Sequence, residues 1–358
     1  MSHHIAFFLG ANTPQGFLSL YPQLAKEPGL RISAVKSGPG CGKSTFLRSV
    51  AAWEEPMRRE HFYCSSDPDS LDGVLLHSRS MAVLDGTAPH VYDPAFPGVQ
   101  GDYITTPPFL DPAGLVEKRG ELETLKSRSG ACYTQAYRLL EAAALVQKRM
   151  WATLESQLPR QQLLRRAQGI AARELPRSMA SGKPGVLRQR FLDGMTPKGP
   201  VFLRDTVLAL AQKVYLLEDR FGLSSFMLEL WRDRALSLGL EVYACLDVHD
   251  PQRLLHLILP ELGLAFITED GTRMMDYDAY RNIRVEAYLP ADVLRQHRGK
   301  LRLLTKLRES LLEDATAELA AAHAIHDEME VLYRPHLDIS ALEQMKQDFF
   351  ARQECIMQ

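Results

Sequence analysis

Nine consecutive residues near the start of the chain have the types and order that bind phosphate. They read Ser-Gly-Pro-Gly-Cys-Gly-Lys-Ser-Thr from position 37 to position 45. Glycines let the backbone curl so that successive N–H groups point inward at a helix N-terminus, which creates an anion site. Lys43 would then reach the β- and γ-phosphates of ATP, and the Ser44 hydroxyl would ligate Mg²⁺. The predicted nucleotide-binding residues are Ser37, Gly38, Pro39, Gly40, Cys41, Gly42, Lys43, Ser44 and Thr45.

The segments on either side of this loop have the composition that the motif requires. The apolar run 30–35 predicts a strand before the loop, and residues 46–52 have helix-forming composition after it. The consensus P-loop opens with glycine, whereas this chain has Ser37. Gly38 and Gly40 still supply a flexible turn. Strand, glycine-rich turn and helix together predict a P-loop.

A carboxylate partner for the loop is predicted downstream. Residues 81–85 are four apolar residues followed by Asp85. A buried parallel strand that ends in aspartate would place this carboxylate opposite the loop, where it would hold Mg²⁺ together with Ser44. Many apolar runs end in aspartate without this role, so the prediction depends on the loop upstream.

A second acidic candidate follows the strand that is predicted between the glycine-rich loop and residues 81–85. Asp67 comes just after the strand at 60–64, at the edge where open α/β sheets bind ligands. It would orient a water molecule or act as a base in catalysis. The alternative is a role in the turn of its own Ser-Ser-Asp-Pro-Asp segment.

The second half of the chain repeats features of the first. Residues 191–199 repeat the pattern of residues 8–16, and Asp270-Gly-Thr272 repeats Asp85-Gly-Thr87. An offset of 180 also aligns several single residues. These pairs are Gly42 and Gly222, Ser44 and Ser224, Phe46 and Phe226, Tyr63 and Tyr243, and Asp67 and Asp247. The pattern predicts a tandem duplication of an α/β P-loop NTPase, each half a parallel sheet flanked by helices and followed by a helical appendage.

The duplication sets the expected domain boundaries. The first P-loop domain and its appendage occupy residues 1–177, a linker occupies 178–186, and the second half occupies 187–358. The second half has Leu223 in place of Lys43, so we expect it to have lost its nucleotide site and to pack on the first half as an intramolecular pseudo-dimer. Arg220 could act as an arginine finger, or simply form a surface ion pair.

Composition restricts the setting in which the protein works. The 358 residues carry a formal net charge of −2, which requires neither nucleic acid nor an anionic membrane as partner. Five cysteines without a CxxC pair argue for reduced thiols and against a zinc site. We expect a cytoplasmic protein with no membrane segment. Seven basic residues between positions 148 and 177 form a face that could contact nucleic acid, although a solvated face is the simpler interpretation.

The chain resembles an uncharacterised family of bacterial ATPases with two fused P-loop halves. The likeness rests on Ser37–Thr45, the phrase at 63–73, the phrase Asp-Gly-Thr-Ala-Pro-His at 85–90, and the Thr-Pro-x-Gly sequences at 13–16 and 196–199. The resemblance implies ATP binding at Lys43 and Ser44, with Asp85 as the acidic partner. It implies no particular substrate.

Three functions fit the sequence. The first is a Mg²⁺-dependent ATP hydrolase that uses Lys43, Ser44 and Asp85. The second is a small-molecule or nucleotide kinase in which the loop at 92–110 serves as a lid and Asp67 is the base. The third is a protein whose slow hydrolysis of ATP controls the docking of its halves or of a protein partner.

Overall fold

The computed structural model describes residues 4–53, 57–271 and 278–356. In these ranges the chain forms an α/β fold of two six-stranded sheets flanked by helices. The elements of the first half are β1 (His4–Phe7), β2 (Gly10–Thr13), β3 (Gly16–Ser19), α1 (Tyr21–Leu24), β4 (Arg31–Lys36), α2 (Lys43–Ala52), β5 (Arg59–Tyr63), β6 (Leu71–Leu76), β7 (Met81–Asp85), β8 (Tyr103–Thr105), α3 (Pro112–Glu117), α4 (Arg119–Leu154) and α5 (Arg160–Glu174). Those of the second half are β9 (Val186–Arg190), β10 (Asp193–Thr196), β11 (Gly199–Phe202), α6 (Arg204–Leu210), β12 (Lys213–Glu218), α7 (Ser225–Ser237), β13 (Glu241–Asp247), β14 (Asp250–Leu259), β15 (Leu264–Glu269), β16 (Arg281–Arg284), α8 (Ala291–Tyr333) and α9 (Ile339–Ile356).

The two sheets have the same topology. The first has the order β1-β5-β6-β7-β4-β8, and the second, read from its other end, has β9-β13-β14-β15-β12-β16. In each sheet the third strand runs antiparallel to both neighbours and the other pairs are parallel. The predicted α/β class with two similar halves is confirmed. The prediction of a parallel sheet is wrong, because the loops 64–70 and 77–80 are too short for the crossover that parallel neighbours need.

The repeat has a different spacing from the one that the single-residue alignment indicates. Ile5 pairs with Glu60, and Arg188 pairs with Tyr243, so these strands recur 183 residues apart. The counterpart of Tyr243 is therefore Glu60 and not Tyr63. The strand register likewise places Thr268, and not Asp270, at the position of Asp85. Thr272, from the same predicted match, lies outside the described residues.

The Thr-Pro-x-Gly sequences form the same hairpin turn in both halves. The Thr13 hydroxyl donates to the carbonyl oxygen of Gly16 at 2.7 Å, and the Thr196 hydroxyl donates to that of Gly199 at 2.8 Å. Each turn connects the two strands of a small antiparallel ribbon, β2–β3 or β10–β11. A glycine with positive φ ends each turn, at 101° and 94°, a conformation that other residues rarely adopt.

The halves meet around a pseudo-twofold axis. The backbones of Phe8 and Phe191, which are equivalent residues in the repeat, exchange two hydrogen bonds of 2.9 and 3.0 Å. Reciprocal contact between equivalent residues is the signature of a twofold interface. Both side chains are fully buried, so the axis passes through the hydrophobic core. In the described residues, the two halves are thus in direct contact through equivalent positions.

A buried ionic network lies close to this axis. Glu60 is fully buried and accepts hydrogen bonds from Arg190 at 2.7 Å and from the Tyr243 hydroxyl at 2.8 Å. His77 Nε2 lies 2.9 Å from Glu60 Oε1, the oxygen that also accepts from Tyr243, and Arg190 also donates to Glu27 at 3.0 Å. Arg190 and Tyr243 belong to the second half, whereas the two glutamates belong to the first. The network therefore links the halves through charge as well as apolar packing.

The two longest helices, α4 of the first half and α8 of the second, pack against each other. α4 and α8 pack antiparallel along their lengths, with Arg128 3.4 Å from Glu328 at one end and Lys300 donating to Thr153 at 3.1 Å toward the other. None of the helices in the described ranges combines the length and apolarity that a bilayer-spanning helix requires.

The terminal helices of each half pack on the opposite half. α5 belongs to the first half but lies against α7, where the Trp231 indole N–H donates to the carbonyl oxygen of Ala167 at 2.9 Å. α9 belongs to the second half but lies against α2, where the rings of Phe349 and Phe46 meet edge to face at 5.2 Å. The helical appendages are therefore exchanged between the halves.

Candidate functional site

The glycine-rich loop connects the end of β4 to the start of α2. β4 lies between β7 and β8, and the loop leaves its carboxyl end. Gly40 and Gly42 have φ of 64° and 79°, so the chain turns left-handed twice within three residues. Gly42 is also the N-cap of α2 and has no side chain to cap the first helical N–H groups. The loop thus has the strand, turn and helix context that the sequence predicts.

Lys43 and Asp85 lie close together at this loop. The Lys43 ammonium donates to the carbonyl oxygen of Gly38 at 2.9 Å and lies 3.9 Å from Asp85 Oδ2. The other oxygen, Oδ1, accepts hydrogen bonds from the Thr87 N–H at 2.8 Å and hydroxyl at 2.6 Å. Val35 pairs with Asp85 in the sheet, which places the ends of β4 and β7 side by side. The structure therefore brings these two predicted residues together.

The remaining loop residues contact neighbouring segments. The Ser44 hydroxyl oxygen accepts a hydrogen bond from the Leu71 N–H at 3.3 Å, at the start of β6. The Ser37 hydroxyl lies 2.5 Å from that of Thr106. Thr106 follows β8, so the segment 92–110, predicted as an ordered loop or lid, contributes an edge strand and lies directly beside the loop. Cys41 is buried, with its thiol donating to the carbonyl oxygen of Pro39 at 3.2 Å.

Asp67 takes part in a turn. Its Oδ1 accepts a hydrogen bond from the Asp69 N–H at 3.3 Å, and its carbonyl oxygen accepts one from the Ser70 N–H at 2.9 Å. A side chain that bonds the backbone two residues ahead is typical of an Asx turn. These contacts favour the turn interpretation of Asp67, and its catalytic role stays a prediction.

Helices of the second half cover part of the loop. The Tyr333 ring lies so close to Gly38 that a methyl group built there would be 3.0 Å from it. A methyl group on Gly42 would lie 2.5 Å from Leu342 Cδ2. The chain between α8 and α9 is tied to the segment after β8, because the Asp338 N–H donates to the carbonyl oxygen of Phe109 at 2.8 Å. The loop is thus built by one half and covered by the other.

In the second half, a carboxylate lies against the turn that corresponds to the glycine-rich loop. Asp219 is buried, and its two oxygens accept hydrogen bonds from the N–H groups of Leu223 at 2.9 Å and Ser224 at 2.6 Å. These N–H groups lie just before α7, whose N-cap is Ser224, and the N-terminal end of a helix favours negative charge. Burial raises the pKa of Asp219, although the hydrogen bonds from the loop lower it. The second half therefore has Leu223 in place of the lysine, and the Asp219 carboxylate accepts the N–H groups of the turn before α7.

Arg220 is held by an ion pair. Its side chain donates to both oxygens of Glu286, at 2.8 and 2.5 Å, and is 62% exposed. This bidentate contact confirms the ion-pair alternative for Arg220.

A cluster of three side chains behind the loop escaped the sequence analysis. Cys64, Asp72 and His90 each offer a ligand atom, and these atoms all lie within 4.8 Å of one another. Burial raises the pKa of Asp72 to about 6, with His90 opposing and Asp85 reinforcing the shift. The cluster could not be read from spacing, because its members come from the residue after β5, the second residue of β6 and the loop after β7. The sequence analysis uses His90 only as the last residue of the phrase at 85–90, whereas in the structure it is 4% exposed.

No protein-family model, curated protein or solved structure matches the chain. The geometry described above is therefore the basis for assigning a function.

Proposed function

We propose that the first half binds Mg²⁺–ATP at residues 37–45 and hydrolyses it. One observation carries the proposal: the Lys43 ammonium and the Asp85 carboxylate lie 3.9 Å apart at the start of a helix whose preceding loop turns left-handed at Gly40 and Gly42. A nucleoside triphosphate and its metal ion require a lysine, a helix N-terminus with free N–H groups and a nearby carboxylate.

The donor set fits magnesium. Ser44 offers a hydroxyl and Asp85 a carboxylate, both of them hard oxygen ligands of the kind that Mg²⁺ prefers. These two residues would hold the ion. When bound, Mg²⁺ supplies charge neutralisation at the β- and γ-phosphates. Asp85 is prepared for this role because Thr87 holds one of its oxygens and leaves the other directed toward Lys43.

Lys43 would change partners when the nucleotide binds. In the structure its ammonium bonds the carbonyl oxygen of Gly38, a neutral acceptor. A phosphate oxygen is a stronger acceptor, because its negative charge adds Coulomb attraction to the hydrogen bond from the ammonium. Lys43 would then stabilise the negative charge that develops during phosphoryl transfer, while the loop amides bind the same anion.

A titration of the full chain with Mg²⁺–ATP tests this function. We expect calorimetry to give one site per chain, since Asp219 already occupies the helix N-terminus of the second half. Phosphate release should follow at a rate above that of buffer. The absence of binding would overturn the proposal, and two sites would overturn the assignment of Asp219.

A second candidate is nucleotide-controlled docking of α9. The observation in its favour is the position of Tyr333 and Leu342 directly on the loop that would bind ATP. Phosphate binding would reorganise this loop and so alter the surface that α9 covers. The α8–α9 region would then report which nucleotide is bound.

Hydrogen exchange measures this coupling. We expect amides in residues 339–356 to exchange at least several-fold faster or slower with a non-hydrolysable ATP analogue than with ADP. Amides of α7 in the second half, where Asp219 already accepts the N–H groups before the helix, provide the internal control. Their exchange rates should not change. Equal exchange of α9 in both nucleotide states would exclude docking control and leave simple hydrolysis.

A further inference from the structure

A buried cluster of mixed ligand chemistry lies behind the glycine-rich loop. Cys64 follows β5, Asp72 lies in β6, and His90 belongs to the loop after β7. Their ligand atoms lie within 4.8 Å of one another, and Asp72 and His90 are each 4% exposed. Three segments that are separate in the chain thus place a thiol, a carboxylate and an imidazole around one point.

The contacts inside the cluster leave acceptor capacity unused. His90 Nε2 lies 3.1 Å from Asp72 Oδ2, yet this contact lacks hydrogen-bond alignment, and Oδ2 is buried without a hydrogen bond. Leaving a buried carboxylate oxygen unsatisfied is costly. Two unaligned ligand atoms 3.1 Å apart are close enough for one metal ion to bind both of them. Nδ1 of the same imidazole is also buried without a hydrogen-bond partner.

Cys64 is contacted from two sides. The backbone N–H groups of Ser66 and Asp67 are directed at its sulfur, and Asp72 contacts it from the other side. Burial and the Asp72 carboxylate raise the pKa of the Cys64 thiol, and the two N–H groups oppose this only in part. A metal ion bound between the sulfur and the carboxylate would reverse the balance, because a coordinating thiol is deprotonated outright.

The second half lacks this set of ligands. The sheet register places Asp247 at the position of Cys64 and Leu255 at that of Asp72. The same region of the second half is filled by His256 Nε2, which lies 2.6 Å from Asp193 Oδ2. Among the described residues, the three ligands therefore occur together only in the half that keeps the lysine of the glycine-rich loop.

We propose that Cys64, Asp72 and His90 bind a zinc ion. Thiolate, imidazole and carboxylate together suit a borderline ion such as Zn²⁺, whereas Mg²⁺ prefers oxygen ligands alone. A tetrahedral zinc ion with bonds of about 2.0 to 2.3 Å holds its ligand atoms roughly 3.5 Å apart, which a small closure of the cluster achieves. Three protein ligands leave a fourth position for water. The site is distinct from the proposed magnesium site, which uses Ser44 and Asp85.

Metal analysis of the purified full chain tests the proposal without nucleotide. After dialysis against Zn²⁺ and then metal-free buffer, we expect about one zinc per chain in the wild type. Cys64→Ser and His90→Ala should each retain less than about a tenth of it, whereas Cys132→Ser, which changes another half-buried cysteine, should retain all of it. Zinc below about a tenth per chain in the wild type, or full zinc in both cluster variants, would overturn the site.

Cobalt provides a spectroscopic readout of the same site. Co²⁺ added to the wild type should produce the near-ultraviolet charge-transfer band of a thiolate–cobalt bond and the visible bands of tetrahedral cobalt. Added Zn²⁺ should abolish both. Cys64→Ser should lose the charge-transfer band while circular dichroism shows an unchanged fold. Octahedral cobalt spectra without a thiolate band in the wild type would overturn the proposal.

Discussion

Replacing Lys43 with alanine is expected to weaken Mg²⁺–ATP binding by about 100-fold and to abolish measurable hydrolysis. The variant loses charge-assisted hydrogen bonds worth about 1.5 to 3 kcal/mol, and the phosphate charge is left facing Asp85 without compensation. The Lys43 side chain is only 19% exposed and contacts the loop itself, so its removal acts at the site and not through a distant surface. Calorimetry gives the affinity, and phosphate release gives the rate.

The controls separate charge from position. Lys126→Ala removes an exposed lysine of α4 and should leave affinity and rate within a factor of two. Lys43→Arg keeps the charge but replaces a compact ammonium with a planar fork, so it should restore part of the binding and little of the hydrolysis. Unchanged affinity in Lys43→Ala would refute the proposed function.

Replacing Arg190 with methionine is expected to destabilise the protein by about 3 to 5 kcal/mol, because it leaves buried carboxylates without their cation. Arg190 is 1% exposed and contacts both Glu60 and Glu27. Unfolding by denaturant, followed by circular dichroism, measures the loss. As a control, Arg119→Met breaks an exposed ion pair with Glu123 and should cost at most about 0.5 kcal/mol. A small effect of Arg190→Met would mean that the network contributes little to joining the halves.

The same network predicts how stability depends on pH. Burial alone would raise the pKa of Glu60, but Arg190 and His77 outweigh it and hold this pKa well below its usual value of 4.5. A carboxyl whose pKa is lowered by folding stabilises the protein above its unfolded pKa, and this contribution is lost as pH falls. The wild type should therefore lose stability below about pH 4.5 more steeply than Glu60→Gln, whose side chain does not titrate. Parallel curves for the two proteins would assign the acid sensitivity to other carboxyls.

The sequence predicts the local features well, because they depend on residues that are neighbours in the chain. The loop at 37–45, its flanking strand and helix, and the two Thr-Pro-x-Gly turns all lie within short segments. The position of Asp85 could be predicted because residues 81–85 are an apolar run that ends in aspartate, the pattern of a buried strand with a carboxylate at its end. Phosphoryl transfer to a separate acceptor is not tested by any of these local features and stays a prediction.

Features that depend on tertiary packing could not be predicted in this way. The zinc ligands come from three segments, and no spacing in the sequence relates Cys64, Asp72 and His90. The carboxylate at the second helix N-terminus is visible in sequence only as a charge that opposes phosphate; its inward orientation requires the fold. The strand register also differs by three residues from the best single-residue alignment, because identity at scattered positions does not determine which residues pair.

The exchange of terminal helices bears on how such a chain could have arisen. A single half made alone would leave the aromatic surface of α2, including Phe46 and Trp53, without the helix that covers it. Such a half would have needed a second copy of itself, and two copies would have covered each other by trading their last helices. The contacts are those of an intertwined homodimer in which each protomer covers its partner with its last helix, except that here both protomers lie in one chain.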